Sequence, residues 1–336
     1  MKLATYRSED RVRIGVVDTE AGTILDLAAV AEGEGERQMF SSMLALIDAG
    51  EAGLDAARAQ VERRTGDGEV SRPLAQASLL APLPEPRQMR DGMSFPTHIL
   101  QSGSGMGRAL AEARAAGDEQ EVARIMERAL PELPEIYSRM PIYYFTNRLA
   151  VTGPESTVVW PRYSRVMDYE LEFGIVTGRK GKDIRAQDAE DHIFGYTIFN
   201  DFSARDQQMQ EMQGRLGPSK GKSFENSNAL GPWIVTRDEI PDPYGLRMTA
   251  RINGRTVCDS TSKGMLFSFE EILAHVSRDE WIHPGEFFGS GTVGNGCGLE
   301  NGWFLSDGDT IELEVEGIGV LRNHVATAAS TKEKTQ

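Results

Sequence analysis

Three acidic residues alternate with apolar ones in Asp168-Tyr169-Glu170-Leu171-Glu172-Phe173-Gly174-Ile175-Val176. In a strand, successive side chains face opposite sides, so Asp168, Glu170 and Glu172 share one face and Tyr169, Leu171 and Phe173 the other. Carboxylates stacked this way repel unless water covers them, as on an edge strand, or a cation sits among them. A hard divalent ion with oxygen ligands would remove the repulsion. Further on, residues 195–199 read as buried strand, and Asp201 stands where the chain turns toward a helix. Arg205 and Gln208 follow at i+4 and i+7, close to one helical face. Asp201 suits either a metal ligand or a helix N-cap. Lys222, in Gly221-Lys222-Ser223-Phe224, either meets an anion or snorkels past its apolar neighbours. The glycine-dense run 283–302 could bring backbone N–H groups to an anion. It fits neither a P-loop nor a dinucleotide fingerprint.

These residues need a scaffold. Alternating apolar and polar residues around Glu20-Ala21-Gly22 predict a short β-hairpin near the N-terminus. Residues 38–64 read as two helices separated by a glycine break, and 79–88, with three prolines, as a linker. The expected organisation is a small N-terminal β-rich domain over 1–85, a catalytic domain over 86–326 and a flexible tail over 327–336. Residues 98–137 favour helix, interrupted by Gly117 and ended by Pro131 and Pro134. Gly103, Gly105 and Gly107 would let the segment 99–107 hinge as a lid. Beyond Pro141 strand signals dominate, with helices only near 186–192, 205–213 and 268–276. That order predicts a β-rich α+β fold rather than regular βαβ units.

Composition narrows the function. The 336 residues carry a formal net charge of −15, from 36 basic and 51 acidic side chains. Such a surface repels phosphate backbones, which argues against nucleic acid as a partner. No apolar run approaches the ~20 residues of a membrane helix, and the first residues lack the pattern of a secretory signal. Cys258 and Cys297 make no disulfide framework, so a reducing, cytoplasmic setting is expected. The expected partner is a small molecule.

Order and spacing bring these elements together. The chain resembles the fumarylacetoacetate hydrolase family, most clearly over 86–325. The resemblance rests on Glu170-Leu171-Glu172, Asn200-Asp201-Phe202-Ser203-Ala204-Arg205-Asp206, Gly221-Lys222-Ser223-Phe224, Gly289-Ser290-Gly291-Thr292 and a Gly-Asp-to-Asn pattern over 308–323. It implies a mixed β-sandwich roll behind a small N-terminal domain, and a homodimer. It implies Mg²⁺ (or Ca²⁺ or Mn²⁺) on Glu170, Glu172 and Asp201. In the fumarylacetoacetase branch a further aspartate ligand precedes a histidine base by seven residues, and Asp91 and His98 match that spacing. Lys222, Arg205 and Gln208 would contact substrate, with Tyr144 and Thr292 as lesser contacts. The implied reaction is hydrolysis of a carbon–carbon bond in a small diketo acid of acylpyruvate or fumarylacetoacetate type, in catabolism. His98 would activate water, and the metal would stabilise the enolate leaving group.

The family also holds isomerases, decarboxylases and hydratases of related oxo acids, and fold alone does not separate them. A non-catalytic binding protein is a third reading, against which the retained carboxylate cluster argues. Where family members orient the histidine with a glutamate, this chain has Gln101 at i+3, and Glu300 lies several residues from the expected C-terminal position. The expectation is therefore that Gln101, a backbone group or water sets the His98 tautomer. Met212 replaces a family tyrosine. His192, His275, His283 and His324 show no metal-ligand spacing and read as structural or exposed.

Overall fold

Alternation near the N-terminus yields a three-stranded antiparallel meander, Lys2–Ser8, Arg11–Asp18 and Thr23–Asp26, one strand more than the expected hairpin. Asp18 closes the second turn, its Oδ1 accepting from the N–H groups of Glu20 and Ala21. This computed structural model describes residues 1–64, 70–128 and 132–333. Pro131 and the last three residues of the tail lie outside the described residues. Ala328–Glu333, within the expected tail, is helical.

The meander joins a twelve-stranded mixed sheet through Lys2–Ser8, which pairs antiparallel with Asn228–Thr236. From there the order runs through Ile193–Asp201, Leu171–Thr177, Phe287–Gly289 and Met89–Gly92 to Tyr143–Phe145. A five-stranded sheet, Arg255–Thr261, Arg247–Ile252, Thr310–Val315, Gly319–Ala326 and Thr157–Val159, packs across it. The chain is thus a strand-rich α+β fold with mixed sheets.

The central strands Leu171–Thr177, Ile193–Asp201 and Asn228–Thr236 are buried along their whole length. Burial on both faces explains their near-continuous apolar sequences. On one face Phe173, Ile198 and Val235 meet Met248, Leu313 and Leu321 of the smaller sheet. On the other, Val176, Phe199 and Ile234 meet Phe40, Leu46 and Ile47 of the N-terminal helical segment. Each fully buried side chain of this size contributes ~1.5–3 kcal/mol of transfer free energy. The helix Met43–Arg64 is kinked at Gly50, whose φ is 59°, matching the expected glycine break.

The helical stretch after residue 95 resolves into Pro96–Ser102, Met106–Ala115 and Glu119–Met126. Gly105, at φ 73°, makes the turn between the first pair. Gly107 has a different role from the expected hinge, since a Cβ there would come within 2.2 Å of the Gly298 carbonyl oxygen and 2.4 Å of the Leu299 backbone. That close approach presses Met106–Ala115 against the short helix Gly298–Asn301. Gly107→Ala should therefore destabilise the protein by ~1–3 kcal/mol, the usual cost of overpacking a rigid contact. Urea unfolding would measure it, and an unchanged midpoint would contradict the packing role.

Candidate metal centre

Acidic exceptions to the apolar central strands collect at one end. Glu172 stands on Leu171–Thr177 and Asp201 ends Ile193–Asp201. Asp91 lies on Met89–Gly92, beside Gly289 in the parallel ladder and opposite Tyr144 in the antiparallel one. Oxygen atoms of Asp91, Glu172 and Asp201 all lie within 4.8 Å of one another, and the residues are buried. Gly289 leaves room for them, because a Cβ there would meet Asp91 Oδ1 at 2.3 Å and Glu172 Oε2 at 3.3 Å.

Glu170 takes a different place from the other expected ligands. Its Oε2 accepts from Lys222 Nζ, and its Oε1 lies 2.9 Å from Arg205 Nη2. Lys222 Nζ also donates to Asp201 Oδ2 at 2.6 Å. The lysine is buried among these acids rather than snorkelling. The expected N-cap role for Asp201 is not seen: helix Arg205–Met212 begins after Ala204, with no side-chain cap. Tyr144 donates its hydroxyl to Asp201 Oδ2 at 2.5 Å, and Thr292 donates to Glu172 Oε1 at 3.2 Å. Arg205 donates through Nε to Asp168 Oδ2 at 2.8 Å and through Nη1 to Gln208 Oε1 at 2.9 Å.

Electrostatics separates the acids. Burial raises the Glu170 pKa, but Lys222 and Arg205 outweigh it and bring it down to about 2. Asp91 is pushed up to about 7 by burial and by Asp201. Burial raises Asp201 to about 6, against the pull of Lys222. Glu172 is held well above the usual carboxylate range by burial, Asp91 and Glu170. Among the described residues no basic side chain pairs with Asp91 or Glu172. Asp91 Oδ1, Glu172 Oε2 and Asp201 Oδ1 are buried without a hydrogen-bond partner.

Unpartnered carboxylate oxygens at such short range fit a hard divalent cation, and an oxygen-only donor set favours Mg²⁺, Ca²⁺ or Mn²⁺. The sign of the pH effect follows. Between their ordinary 3.8 and the raised values of about 6 and about 7, Asp201 and Asp91 stay protonated in the folded chain after the unfolded chain has lost the protons. Their contribution to stability therefore falls as pH rises through that window. A bound cation replaces those protons, so the gain in Tm on adding Mg²⁺ should grow from about pH 5 to about pH 8. Calorimetric scans with Mg²⁺ and with EDTA would test this; a gain independent of pH would contradict it.

A second cluster faces the same cavity. His98 sits on the helix Pro96–Ser102, started by its N-terminal proline. Its Nδ1 lies 3.2 Å from Glu300 Oε2, both side chains being buried. This corrects the expectation that Glu300 stands out of position and that Gln101 or water must orient the imidazole. The chain reverses so tightly through 295–302 that Glu300 points back at His98. Its Oε1 accepts from the Asn295 N–H at 2.9 Å, and its Oε2 accepts from the Cys297 thiol at 3.3 Å. Gln101 Oε1 has no hydrogen-bond partner. Burial alone would lower the His98 pKa, but the Glu300 carboxylate and its hydrogen bond turn the net shift upward. With Nδ1 engaged, Nε2 is the nitrogen left to exchange a proton.

Glu300 carried a signal in the sequence: it is the sole acidic residue between Glu286 and Asp307, in a run of glycine and apolar residues. Asp168 is the other residue of the site whose place needed the structure. It accepts from Arg205 Nε and from the N–H groups of Gly298 at 2.7 Å and Leu299 at 3.2 Å. That ties Arg205 to the helix that carries Glu300. Outside this cluster, His192 Nδ1 meets Arg179 O, His275 Nδ1 meets Arg278, and His324 Nε2 lies 3.4 Å from Glu155.

His98 of one cluster and Asp91 and Glu172 of the other line one cavity of about 490 Å³. Glu170, Arg205, Lys222, Gln208, Tyr144 and Thr292 line it as well. Residues 107–326 match the family described as fumarylacetoacetate (FAA) hydrolase, C-terminal. The chain belongs to the fumarylacetoacetate hydrolase family. It is 31% identical over 331 residues to the mitochondrial oxaloacetate tautomerase fahd2 of Xenopus laevis, covering 97% of this chain and 90% of the relative. The solved fumarylacetoacetate hydrolase from Exiguobacterium antarcticum is 26% identical, with a TM-score of 0.70 over 97% of this chain and 99% of that one. A maleylpyruvate hydrolase from Sphingobium sp. SYK-6, solved with manganese(II) ion and pyruvate, is 22% identical with a TM-score of 0.69 over 97% and 99%, a likeness of fold. The family thus includes hydrolases and tautomerases. Among the described residues no helix is long and apolar enough to cross a membrane.

Proposed function

We propose that this enzyme is a divalent-metal-dependent hydrolase that cleaves the bond between the two carbonyl carbons' shared methylene and the distal carbonyl of a small 2,4-dioxo acid. The observation that supports this reading is the buried His98–Glu300 pair, whose His98 lines the same cavity as Asp91 and Glu172, with Asp201 clustered beside those two acids. When bound by those carboxylates, with Glu170 as a further ligand position, Mg²⁺ or a similar ion supplies Lewis acidity to the 2-oxo acid end of the substrate.

The chain's own residues would do the rest. His98 Nε2 removes a proton from water, and the Glu300 carboxylate stabilises the imidazolium that forms. Hydroxide adds to the distal carbonyl, making a tetrahedral oxyanion. Lys222 has a third proton beyond the pair given to Glu170 and Asp201 and so has a donor to offer that oxygen, and Arg205, held beside it on Glu170, adds its positive charge. Gln208 holds Arg205 in place. Collapse of the oxyanion breaks the carbon–carbon bond and sends its electron pair into an enolate. His98 returns its proton to that carbon, giving a carboxylic acid and pyruvate from the acylpyruvate and water.

A second reading is keto–enol tautomerisation of an oxaloacetate-like acid, favoured by the full-length likeness to an oxaloacetate tautomerase. There His98 would move a proton at the carbon beside the carbonyl, with no attack by water. Product analysis by proton NMR separates the readings, with acetylpyruvate and enol-oxaloacetate each incubated with Mg²⁺ or with EDTA. Acetate and pyruvate, formed only with Mg²⁺, are expected. Intact acetylpyruvate beside rapid conversion of enol-oxaloacetate would select the tautomerase. A cytoplasmic homodimer completes the proposal, for which light scattering tests the dimer.

A further inference from the structure

We infer that this site takes 2-oxo acids with an apolar acyl or aryl far end in preference to dicarboxylates, an inference that rests on the 2-oxo acid site proposed above. The helix Arg205–Met212 presents Arg205, Gln208, Met209 and Met212 to the cavity, at i, i+3, i+4 and i+7. Arg205 is buried at the floor, whereas Met209 and Met212 are 66% and 49% exposed at the mouth. Half-buried Met93, Tyr137, Ile142 and Tyr143 also line the cavity. Methionine adapts its shape to irregular apolar ligands, and exposed apolar side chains gathered at one opening mark a contact surface.

Charge points the same way. Among the described residues lining the cavity, the permanent cations are Arg205 and Lys222, and both are paired with Asp168, Glu170 or Asp201. The basic residues that flank the lining in sequence, Arg139, Arg215 and Lys220, are not part of it; Arg139 pairs with Glu135 at 3.2 Å, and Lys220 Nζ lies over the Tyr163 ring, 5.7 Å from its centroid. A second carboxylate on the substrate would enter an apolar mouth above an acidic floor and lose water without gaining a cation. An alkyl chain or ring would instead cover the methionines, and a cavity of about 490 Å³ has room for it.

The test compares ligands that share a 2-oxo acid head and differ in the tail. Binding of 4-phenyl-2-oxobutanoate and 2-oxoglutarate to the Mg²⁺-loaded full chain is measured by calorimetry. The phenyl compound should bind at least ~10-fold more tightly, the scale on which an apolar pocket discriminates. Met212→Lys, which places a cation at the mouth, should narrow that ratio. Equal binding, tighter binding of 2-oxoglutarate, or an unchanged ratio in Met212→Lys would overturn the inference. Turnover of acetylpyruvate is followed in parallel to keep the readings apart. Cleavage without the tail preference refutes the inference and leaves hydrolysis standing, whereas the preference without cleavage refutes hydrolysis alone.

Discussion

His98→Ala is expected to lower kcat on an acylpyruvate by ~10²–10⁴-fold, the usual contribution of a positioned general base. Binding of a 2-oxo acid analogue should change little, because anchoring falls to the carboxylate-bound cation and to Lys222 and Arg205. Glu300→Gln should reduce kcat less than His98→Ala, since the amide still meets Nδ1 while the negative charge is lost. A shift of the pH profile tests the pairing itself. The reaction needs neutral His98, whose pKa lies above the ordinary 6.5 because Glu300 outweighs burial. The acidic limb of the profile should therefore lie above 6.5 and move down in Glu300→Gln, where only the more weakly acting Glu170 still opposes burial. A limb that stays in place would show that Glu300 does not hold the imidazole's charge. Near-full turnover by His98→Ala would remove water activation and leave a proton-transfer reaction run from another group.

Glu172→Ala should weaken Mg²⁺ or Mn²⁺ binding by at least ~100-fold, more than the loss typical of an outer-sphere partner. Glu172 has no cation among its protein partners, and its Oε2 is one of the oxygens without a hydrogen bond. Removing the Glu172 charge also relieves repulsion from Asp91 and Glu170, so the isosteric Glu172→Gln should leave the metal-free protein at least as stable as the parent. Opposite signs for metal affinity and metal-free stability distinguish a ligand from a structural acid. Calorimetric titration with Mg²⁺ and thermal scans in EDTA give both numbers. Unchanged affinity, or a collapse in metal-free stability, would contradict the assignment.

Local spacing made much of this site legible. The alternation at 168–173 placed Tyr169, Leu171 and Phe173 in the core and Glu170 and Glu172 at the cavity. Arg205 and Gln208 share a helical face as their spacing requires. Asp91 and His98 were readable through the resemblance alone, since four residues of strand around an arginine and an aspartate show no alternation. Met89–Gly92 is buried because tertiary partners neutralise it. Arg90 pairs with Glu286 at 2.5 Å and with Glu280, between the rings of Phe145 and Phe288. The pairing of Glu300 with His98 was out of reach for a related reason. It depends on a reversal held by the Asn295 N–H and on Asp168 anchoring Gly298, neither of which leaves a periodic trace. The meander's third strand, four residues long, is likewise specified by its neighbours more than by its own pattern.

Hydrolysis at His98 is tested most directly by isotope. Acetylpyruvate is incubated with Mg²⁺-loaded protein in ¹⁸O-labelled water, and the products are read by mass spectrometry. Cleavage by activated water predicts one labelled oxygen in the acetate carboxylate, with label incorporation slowed in His98→Ala as strongly as kcat. Solvent hydrogen exchanging into the carbon between the carbonyls, with no labelled acetate formed, would contradict the account.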